Sequence, residues 1–240
     1  MTILYVADEI FERFPAVVLG VVIAHGIDNS GESGHVREQL RREEAQTAGR
    51  FAGLQVSEHP QIAPWREAYR AFGAKPKDNP SSIENLVRRV LKGQPLPQIN
   101  PLVDIYNTIS LRFVVPAGGE DLDAIVGDVR LAFAGADEAP VRLLGEAEER
   151  PPHPGEVIYK DDVGAICRRW NWKEADRTKL TARTTRVFLV IEGLPPVGRA
   201  LVEQAADELA DLIRAHCGGH VASAIVDRQQ RQVGLDQGET

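Results

Sequence analysis

Four polar side chains on one predicted helix are the first candidates for chemistry in this sequence. They follow one another mostly at separations of three or four residues: Asp104, Asn107, Thr108 and Arg112. Such spacing places them on one side of a helix that begins near Pro101 with Asn100 as its N-cap. Two interpretations remain open, because these groups either fix helix ends by hydrogen bonding or face a ligand pocket.

A second candidate is a basic and aromatic run from Ala165 to Arg186, which carries seven cations against Glu174 and Asp176. Arginine and lysine neutralise phosphates, and unstacked terminal bases stack on indole or guanidinium planes. The residues we expect to contact RNA are Arg168, Arg169, Trp170, Lys173 and Arg183. The alternative is that the tryptophans anchor the core and the cations balance the acidic loop at residues 146–149.

Composition excludes several classes of protein. A net charge of −7 in 240 residues argues against a general nucleic-acid coat protein or a DNA partner. Cys167 and Cys217 lack metal-ligand spacing, and the chain has no nucleotide-binding or HExxH motif, so we expect no metal or cofactor. The longest apolar run, residues 16–24, is far shorter than the roughly 20 residues that span a bilayer. Without a basic N-terminal signal, the chain is expected to be soluble and cytoplasmic, with no membrane partner.

The elements that must position these residues follow no regular strand–helix alternation, which predicts an α+β fold with mixed sheets and packed helices. We expect a buried strand at residues 16–24, a charged surface helix from Glu32 to Phe51 and a capped helix at residues 81–91. Further strands are expected at residues 127–134, 141–144 and 186–192, and a hairpin around residues 160–162. A long helix at 197–216 and a strand at 221–226 precede a polar tail, which we expect to be frayed from Asp227.

The run LPQINPLVDIYNTISL (residues 96–111), followed by a proline, two glycines and DLD, makes the chain recognisable. With YRAFG at residues 69–73 and RRVLKG ending at Gly93, it resembles the B3/B4 module of the bacterial phenylalanyl-tRNA synthetase β-chain. It is still more similar to the stand-alone proteins built from that module. The resemblance covers residues 60–195 and implies one domain over 1–240, made of two interleaved subdomains. Residues 1–59 would be an N-terminal extension, 196–228 a C-terminal helix and strand, and 229–240 a tail.

The resemblance also implies a function. The synthetase module hydrolyses the ester that joins a wrong amino acid to tRNA. Carried over to this sequence, the substrate-binding residues would be Asn100, Asp104, Asn107, Arg112, Thr185 and Glu192. Among them, Glu192 would read the amino-acid side chain, and Thr185 would offer a hydroxyl to the substrate amine or ribose.

One departure from the family pattern concerns the residue at position 118. The synthetase carries a pocket histidine that aligns with Gly118, so that group is absent here. We expect Gly118 and Gly119 to form a flexible turn whose amides bind an anion or oxyanion, and water to be activated by Glu120 or by the RNA's own terminal hydroxyl. Together these three would be the catalytic residues.

The main hypothesis is therefore a trans-editing protein that binds the tRNA acceptor end and removes mis-attached amino acids. The alternatives are a non-catalytic RNA or aminoacyl-tRNA binding module, and a protein that binds or hydrolyses small amino-acid compounds without an RNA partner, in a pocket with acidic surroundings. The main hypothesis requires that the helix after Asn100 and the turn at 118–119 wall one cavity, with cations at its mouth.

Overall fold

The computed structural model describes residues 2–31 and 34–236, and it confirms an α+β fold with mixed sheets. The helices are α1 (Asp8–Arg13), α2 (Gly34–Arg50), α3 (Ala63–Ala71), α4 (Ser82–Leu91), α5 (Pro101–Phe113) and α6 (Arg199–His216). The longer strands are β1 (Ile3–Val6), β2 (Val18–His25), β3 (Ala117–Asp121), β4 (Val129–Phe133), β7 (Val157–Lys160), β8 (Ala165–Arg168), β10 (Arg186–Gly193) and β11 (His220–Val226). The shorter ones are β5 (Val141–Arg142), β6 (Glu149–Arg150), β9 (Lys173–Glu174) and β12 (Gln232–Gly234).

A four-stranded antiparallel sheet, in the order β11-β2-β10-β3, forms the centre of the molecule. All eight residues of β2 are buried, as its continuous apolar sequence predicts for a strand covered on both faces. One face packs against α5 and α6, and Gly20 allows α6 to approach, since a Cβ there would lie 3.0 Å from that of Ala206. The other face is free to pack against the second sheet.

The second sheet has six strands in the order β12-β1-β4-β7-β8-β9, and only β1 and β4 in it are parallel. The chain passes from one sheet to the other several times, so the strands of the two sheets are interleaved in the sequence. The prediction of a frayed tail is wrong for residues 232–236, because β12 pairs with β1 and Leu235 is buried. Val233 and Leu235 supply the apolar side chains that hold this strand in place.

The observed helices largely agree with those predicted from the sequence. Asn100 caps α5, since its side chain accepts a hydrogen bond from the backbone N–H of Val103 at 3.0 Å. The helix α2 is less solvated than predicted, because Glu43 and Glu44 are buried and hydrogen-bond arginines and backbone. Its predicted start at Glu32 lies outside the described residues. No helix in the described ranges has both the length and the apolar character needed to cross a bilayer.

Candidate functional site

A cavity of about 210 Å³ lies between the two sheets. Its floor is one face of the central sheet: Phe188, Val190 and Glu192 alternate along β10, and Gly118 and Glu120 alternate along β3 beside them. Glu120 is directly opposite Phe188, so Glu192 lies four residues further along β10, or roughly 13 Å at the usual rise of a strand. The two carboxyl groups therefore mark different ends of the cavity.

The opposite wall comes from the second sheet and the loop that follows β8. It contains Tyr159, Ile166, Trp170, Trp172, Lys173 and Glu174. Most of these side chains are apolar, with few polar groups among them, which is the usual composition of a small-molecule site. The cavity therefore suits a small ligand that is largely apolar.

The glycine pair 118–119 lies in the extended strand β3, so the prediction of a flexible glycine turn is wrong. A Cβ on Gly119 would lie 2.8 Å from the backbone oxygen of Phe188, and one on Gly118 would lie 2.9 Å from Oε1 of Glu174. The backbone amide of Gly119 lies beside the Glu174 carboxyl group and partly offsets the rise in its pKa that burial causes, so this amide already faces an anion of the protein itself. Gly118 thus makes room for the carboxyl group of Glu174 rather than for an anion-binding turn.

Glu120 and Glu174 form an interacting pair of carboxyl groups. Burial raises the pKa of Glu174 to about 7, and burial together with the neighbouring charge of Glu174 raises the pKa of Glu120 well above its usual value. Glu120 is 4% exposed, and its Oε2 finds no hydrogen-bond partner among the described residues. At neutral pH the pair can therefore hold a proton on Glu120 while Glu174 is available as a base.

Glu192 has a different environment from that of the carboxyl pair. The phenol of Tyr159 donates to Oε1 at 2.6 Å, and the Asn171 amide donates to Oε2 at 2.5 Å. Burial raises the pKa of Glu192 to about 7, although hydrogen bonds from Tyr159 and Asn171 favour the charged form. The tyrosine Tyr69 donates in turn to Asn171 at 2.8 Å, which fixes the orientation of that amide.

The predicted polar face of α5 does not wall this cavity. Leu102, Ile105 and Ile109 pack with Val187 and Leu189, on the face of β10 opposite to that of Phe188. Asn100, Asp104 and Asn107 are buried, and the first two line a separate polar pocket beside Asn29 and Gln98. The expectation that these three side chains contact a substrate in the shared cavity is therefore not met.

Two more predicted substrate contacts have other roles. Arg112 forms ion pairs with Glu43 (3.0 Å) and Glu208, so it ties α5 to α2 and α6. Thr185 is exposed just before β10, at the end remote from Glu192. Tyr106 is the residue of α5 that lies closest in charge interaction to the carboxyl pair. Burial raises the pKa of its phenol, and the charges of Glu174 and Glu120 raise it further.

The predicted RNA contacts divide into core and surface residues. Trp170 is fully buried against Trp65 and Phe14, with ring centroids at 5.2 and 4.9 Å. Arg168 is 4% exposed and forms a bidentate ion pair with Glu156 at 2.7 and 2.9 Å. Neither is a surface contact for RNA, and the prediction is wrong for both.

The remaining cations lie nearer the surface and most have acidic partners. Arg169 is half-buried, stacks over the ring of Trp172 at 4.3 Å and donates to Asn79. Lys173 lines the cavity and pairs with Glu146 at 2.8 Å, as the alternative interpretation of this run predicts. Arg183 is exposed.

The cavity also contains residues that the sequence did not identify. Glu174, Tyr159 and Asn171 supply several of its polar groups, but in the sequence they are scattered among charged or strand residues with no distinctive spacing. Only the position of Glu174 as an acid inside a basic run hinted at a separate role. Within residues 2–31 and 34–236 no cluster of three or more His, Cys, Asp and Glu side chains is arranged to hold a metal ion.

Among solved structures, the chain is similar to an N-terminal fragment of the phenylalanyl-tRNA synthetase β-subunit from Pyrococcus horikoshii, with 12% identity and a TM-score of 0.47. The match covers 93% of this chain and 53% of that one, so the chain spans about half the length of the fragment. A search of curated proteins gave no match. A model of the B3/4 domain matches residues 64–218, well over half of the chain, and the protein therefore belongs to the B3/4 domain family.

Proposed function

We propose that this B3/4 domain hydrolyses the ester between a mis-attached amino acid and the terminal ribose of tRNA. One observation carries the proposal: an apolar cavity of about 210 Å³ has the Glu120–Glu174 carboxyl pair in its wall. The apolar surfaces of Phe188 and Val190 suit an amino-acid side chain, while the carboxyl pair suits its α-ammonium group and a water molecule.

In the proposed reaction Glu174 takes a proton from water as the water oxygen attacks the ester carbonyl. The bond between the carbonyl carbon and the ribose oxygen then breaks, and the ribose oxygen leaves with the proton held by Glu174. The products are a free amino acid and a tRNA with a free terminal hydroxyl. A base with a pKa near the working pH is the most effective at such proton transfer.

The tRNA end would approach on the side of Lys173 and Arg169. Lys173 lines the cavity, and Arg169 covers the ring of Trp172, which is also part of the wall. A phosphate would have to compete with Glu146 for Lys173. RNA binding is therefore expected to be weak and to decrease only moderately with salt, because the slope scales with the number of phosphates that the protein neutralises.

The charges around the cavity favour a second candidate, a protein that binds a free amino acid or small amine. Three glutamates line the cavity against one lysine, which is already paired. Burial raises the pKa of all three carboxyl groups, and a bound ammonium group would favour their charged forms. Since a cationic ligand gains from such a site and an RNA phosphate does not, this candidate requires no RNA partner.

A deacylation assay across a panel of mischarged tRNAs distinguishes the two candidates. The wild-type protein should release the amino acid from at least one pair, and Glu174→Gln should slow release by about 10²–10⁴-fold, as expected for loss of a general base. The exposed Glu148 offers a matched control, since Glu148→Gln should leave the rate unchanged. If the folded protein releases no amino acid from any pair but binds free amino acids in a calorimeter, the second candidate replaces the first.

A further inference from the structure

A separate polar pocket of about 330 Å³ lies beside the N-terminus of α5. Three parts of the chain that are distant in sequence enclose it: residues 29–31, residues within 98–104, and Ala182. None of its lining residues belongs to the cavity between the sheets, and the proposed hydrolysis uses none of them. The polar pocket therefore has no role in the function proposed above, although it is large enough for a small molecule.

Two asparagines in the wall of the polar pocket hold its shape. Asn29 accepts a hydrogen bond from the backbone N–H of Leu102 at 3.0 Å and donates one to the carbonyl of Thr181 at 2.8 Å. Asn100, the N-cap of α5, donates to the carbonyl of Leu180 at 3.3 Å. These bonds join the enclosing segments to one another, so the pocket is preformed and needs no ligand to assemble it.

Asp104 is the one carboxylate that lines the polar pocket within the described ranges, and its hydrogen bonding is incomplete. The residue is 3% exposed, and its Oδ1 atom is buried without a hydrogen-bond partner. Two arginines of α2, Arg41 and Arg37, lie near enough for their charges to act on it. Arg41, however, donates to both carboxylate oxygens of Glu44 and to the carbonyl of Leu96. The protein therefore gives Asp104 nearby positive charge but no donor for Oδ1.

An ionised carboxyl group in such a place favours a ligand with a positively charged donor. Burial raises the pKa of Asp104 from 3.8 to about 6, although the charges of Arg41 and Arg37 favour the charged form. The group is thus mostly ionised at neutral pH, and a buried acceptor without a partner carries a desolvation penalty that a bound donor removes. An ammonium group is the best donor, because hydrogen bonds to ionised groups are stronger than those between neutral groups.

We propose that the polar pocket is a second ligand site, which binds the ammonium group of a small polar amine at Asp104. The side chains of Gln98 and Asn100 beside it suit a ligand whose remaining atoms are also polar. A divalent metal ion fits less well, because the pocket offers it a single carboxylate and the charges of Arg37 and Arg41 oppose a second positive charge. The site is independent of the proposed hydrolysis.

Ethanolamine and ethylene glycol are the probes that test this site, because they differ only by an amino group in place of one hydroxyl. Each is titrated at about pH 7.5 and constant ionic strength into isotope-labelled protein, and the backbone amide resonances are followed by NMR. Ethanolamine should shift the resonances of Ser30, Gly31 and Ala182 with half-saturation below about 50 mM, as expected for so small a ligand. Ethylene glycol should bind at least about tenfold more weakly. Equal binding of the two, or no shift with ethanolamine, would overturn the inference.

The substitution Asp104→Asn removes the charge and keeps the shape of the side chain, so it should weaken ethanolamine binding at least about tenfold. Asp211→Asn is the matched control, because it makes the same change at an exposed position of α6 and should leave the affinity within about twofold. Loss of binding in both variants, or in neither, would contradict a contact at Asp104.

The pH dependence tests the same contact in the wild type, which keeps the inference testable should Asp104→Asn fail to fold. Lowering the pH from about 7.5 to about 5 protonates a carboxyl group whose pKa is about 6, so ethanolamine should bind about tenfold more weakly at the lower pH. Of the other acids nearby, Glu44 is paired with Arg41, and hydrogen bonds from Ser30 lower the pKa of Asp28, which therefore stays ionised over this range. An affinity that does not change with pH would refute the role of Asp104.

Two further outcomes would also overturn the inference. If calcium chloride shifts the same resonances at lower concentrations than ethanolamine does, the polar pocket is a metal site. If ethanolamine shifts only the resonances of Gly118 and Gly119, the amine binds in the cavity between the sheets, as the second candidate function requires, and the polar pocket is not a ligand site.

Discussion

Replacing Glu174 by glutamine is expected to stabilise the protein while it removes the proposed base. Burial raises the pKa of Glu174 from 4.5 to about 7. Between roughly these two pH values the carboxyl group of Glu174 is protonated in the folded state and ionised in the unfolded state. For an acid whose folded pKa is raised, stability is greatest below the unfolded value and is lost as the pH rises through the folded value.

The size of the effect follows from the pKa difference. Since one pKa unit is worth about 1.4 kcal/mol, the charged form of Glu174 costs roughly 3 kcal/mol of folding free energy at pH 8. Glutamine carries no charge to bury, so Glu174→Gln should raise the free energy of unfolding by about that amount at pH 8, and by 1 kcal/mol or less at roughly pH 5. In a chain of this length the melting temperature should rise by roughly 6–12 °C at pH 8.

Urea denaturation at several pH values between 5 and 8 measures this difference directly. Glu148→Gln, at an exposed position, should match the wild type at every pH. If Glu174→Gln is no more stable than the wild type at pH 8, or if the difference does not grow with pH, then Glu174 does not have the raised pKa on which the mechanism depends.

Three further substitutions test the roles of residues outside the carboxyl pair. Trp170→Ala should cost about 3–5 kcal/mol in urea denaturation, because it empties a core position against Trp65; a loss below 1 kcal/mol would point to a surface role. Arg168→Ala should cost about 3–5 kcal/mol by leaving the buried Glu156 with no cation nearer than Arg169 at 3.8 Å, and added salt should change this little; a strongly salt-dependent loss would contradict the buried pair. Asn100→Ala should cost about 1 kcal/mol or more through loss of the α5 cap and of the bond to the Leu180 carbonyl, whereas Asn100→Ser keeps an oxygen that can accept from the Val103 N–H and should cost less; equal losses in both would refute the capping role.

Local sequence patterns were sufficient to predict the main elements of the fold. The continuous apolar run at residues 16–24 became the buried strand β2, and the proline after Asn100 marked the start of α5. Both features are read from a short stretch of sequence: a continuous apolar run indicates a strand buried on both faces, and an N-cap residue before proline indicates the start of a helix. Glu192 was predicted in a different way, because the family resemblance and not local chemistry placed it at the end of β10, and it lies in the cavity.

The composition of the site could not be predicted in the same way, because it depends on which elements pack on which face of the sheet. The polar residues of α5 look suited to a ligand, yet their helix covers the face of β10 that the cavity does not use. Gly118 and Gly119 resemble a turn, but pairing with β10 holds them extended. Arg168 looks like an RNA contact until Glu156, twelve residues away, is brought beside it by the adjacent strands.

The position of a bound ligand decides whether the cavity between the two sheets is the functional site. A crystal structure with a non-hydrolysable valyl- or phenylalanyl-adenosine amide should show the amino group within hydrogen-bonding distance of Glu120 and the side chain on Phe188 and Val190. A ligand bound instead in the polar pocket beside Asn29 and Asp104, or an amino group far from Glu120, would contradict the assignment of the cavity between the sheets as the functional site.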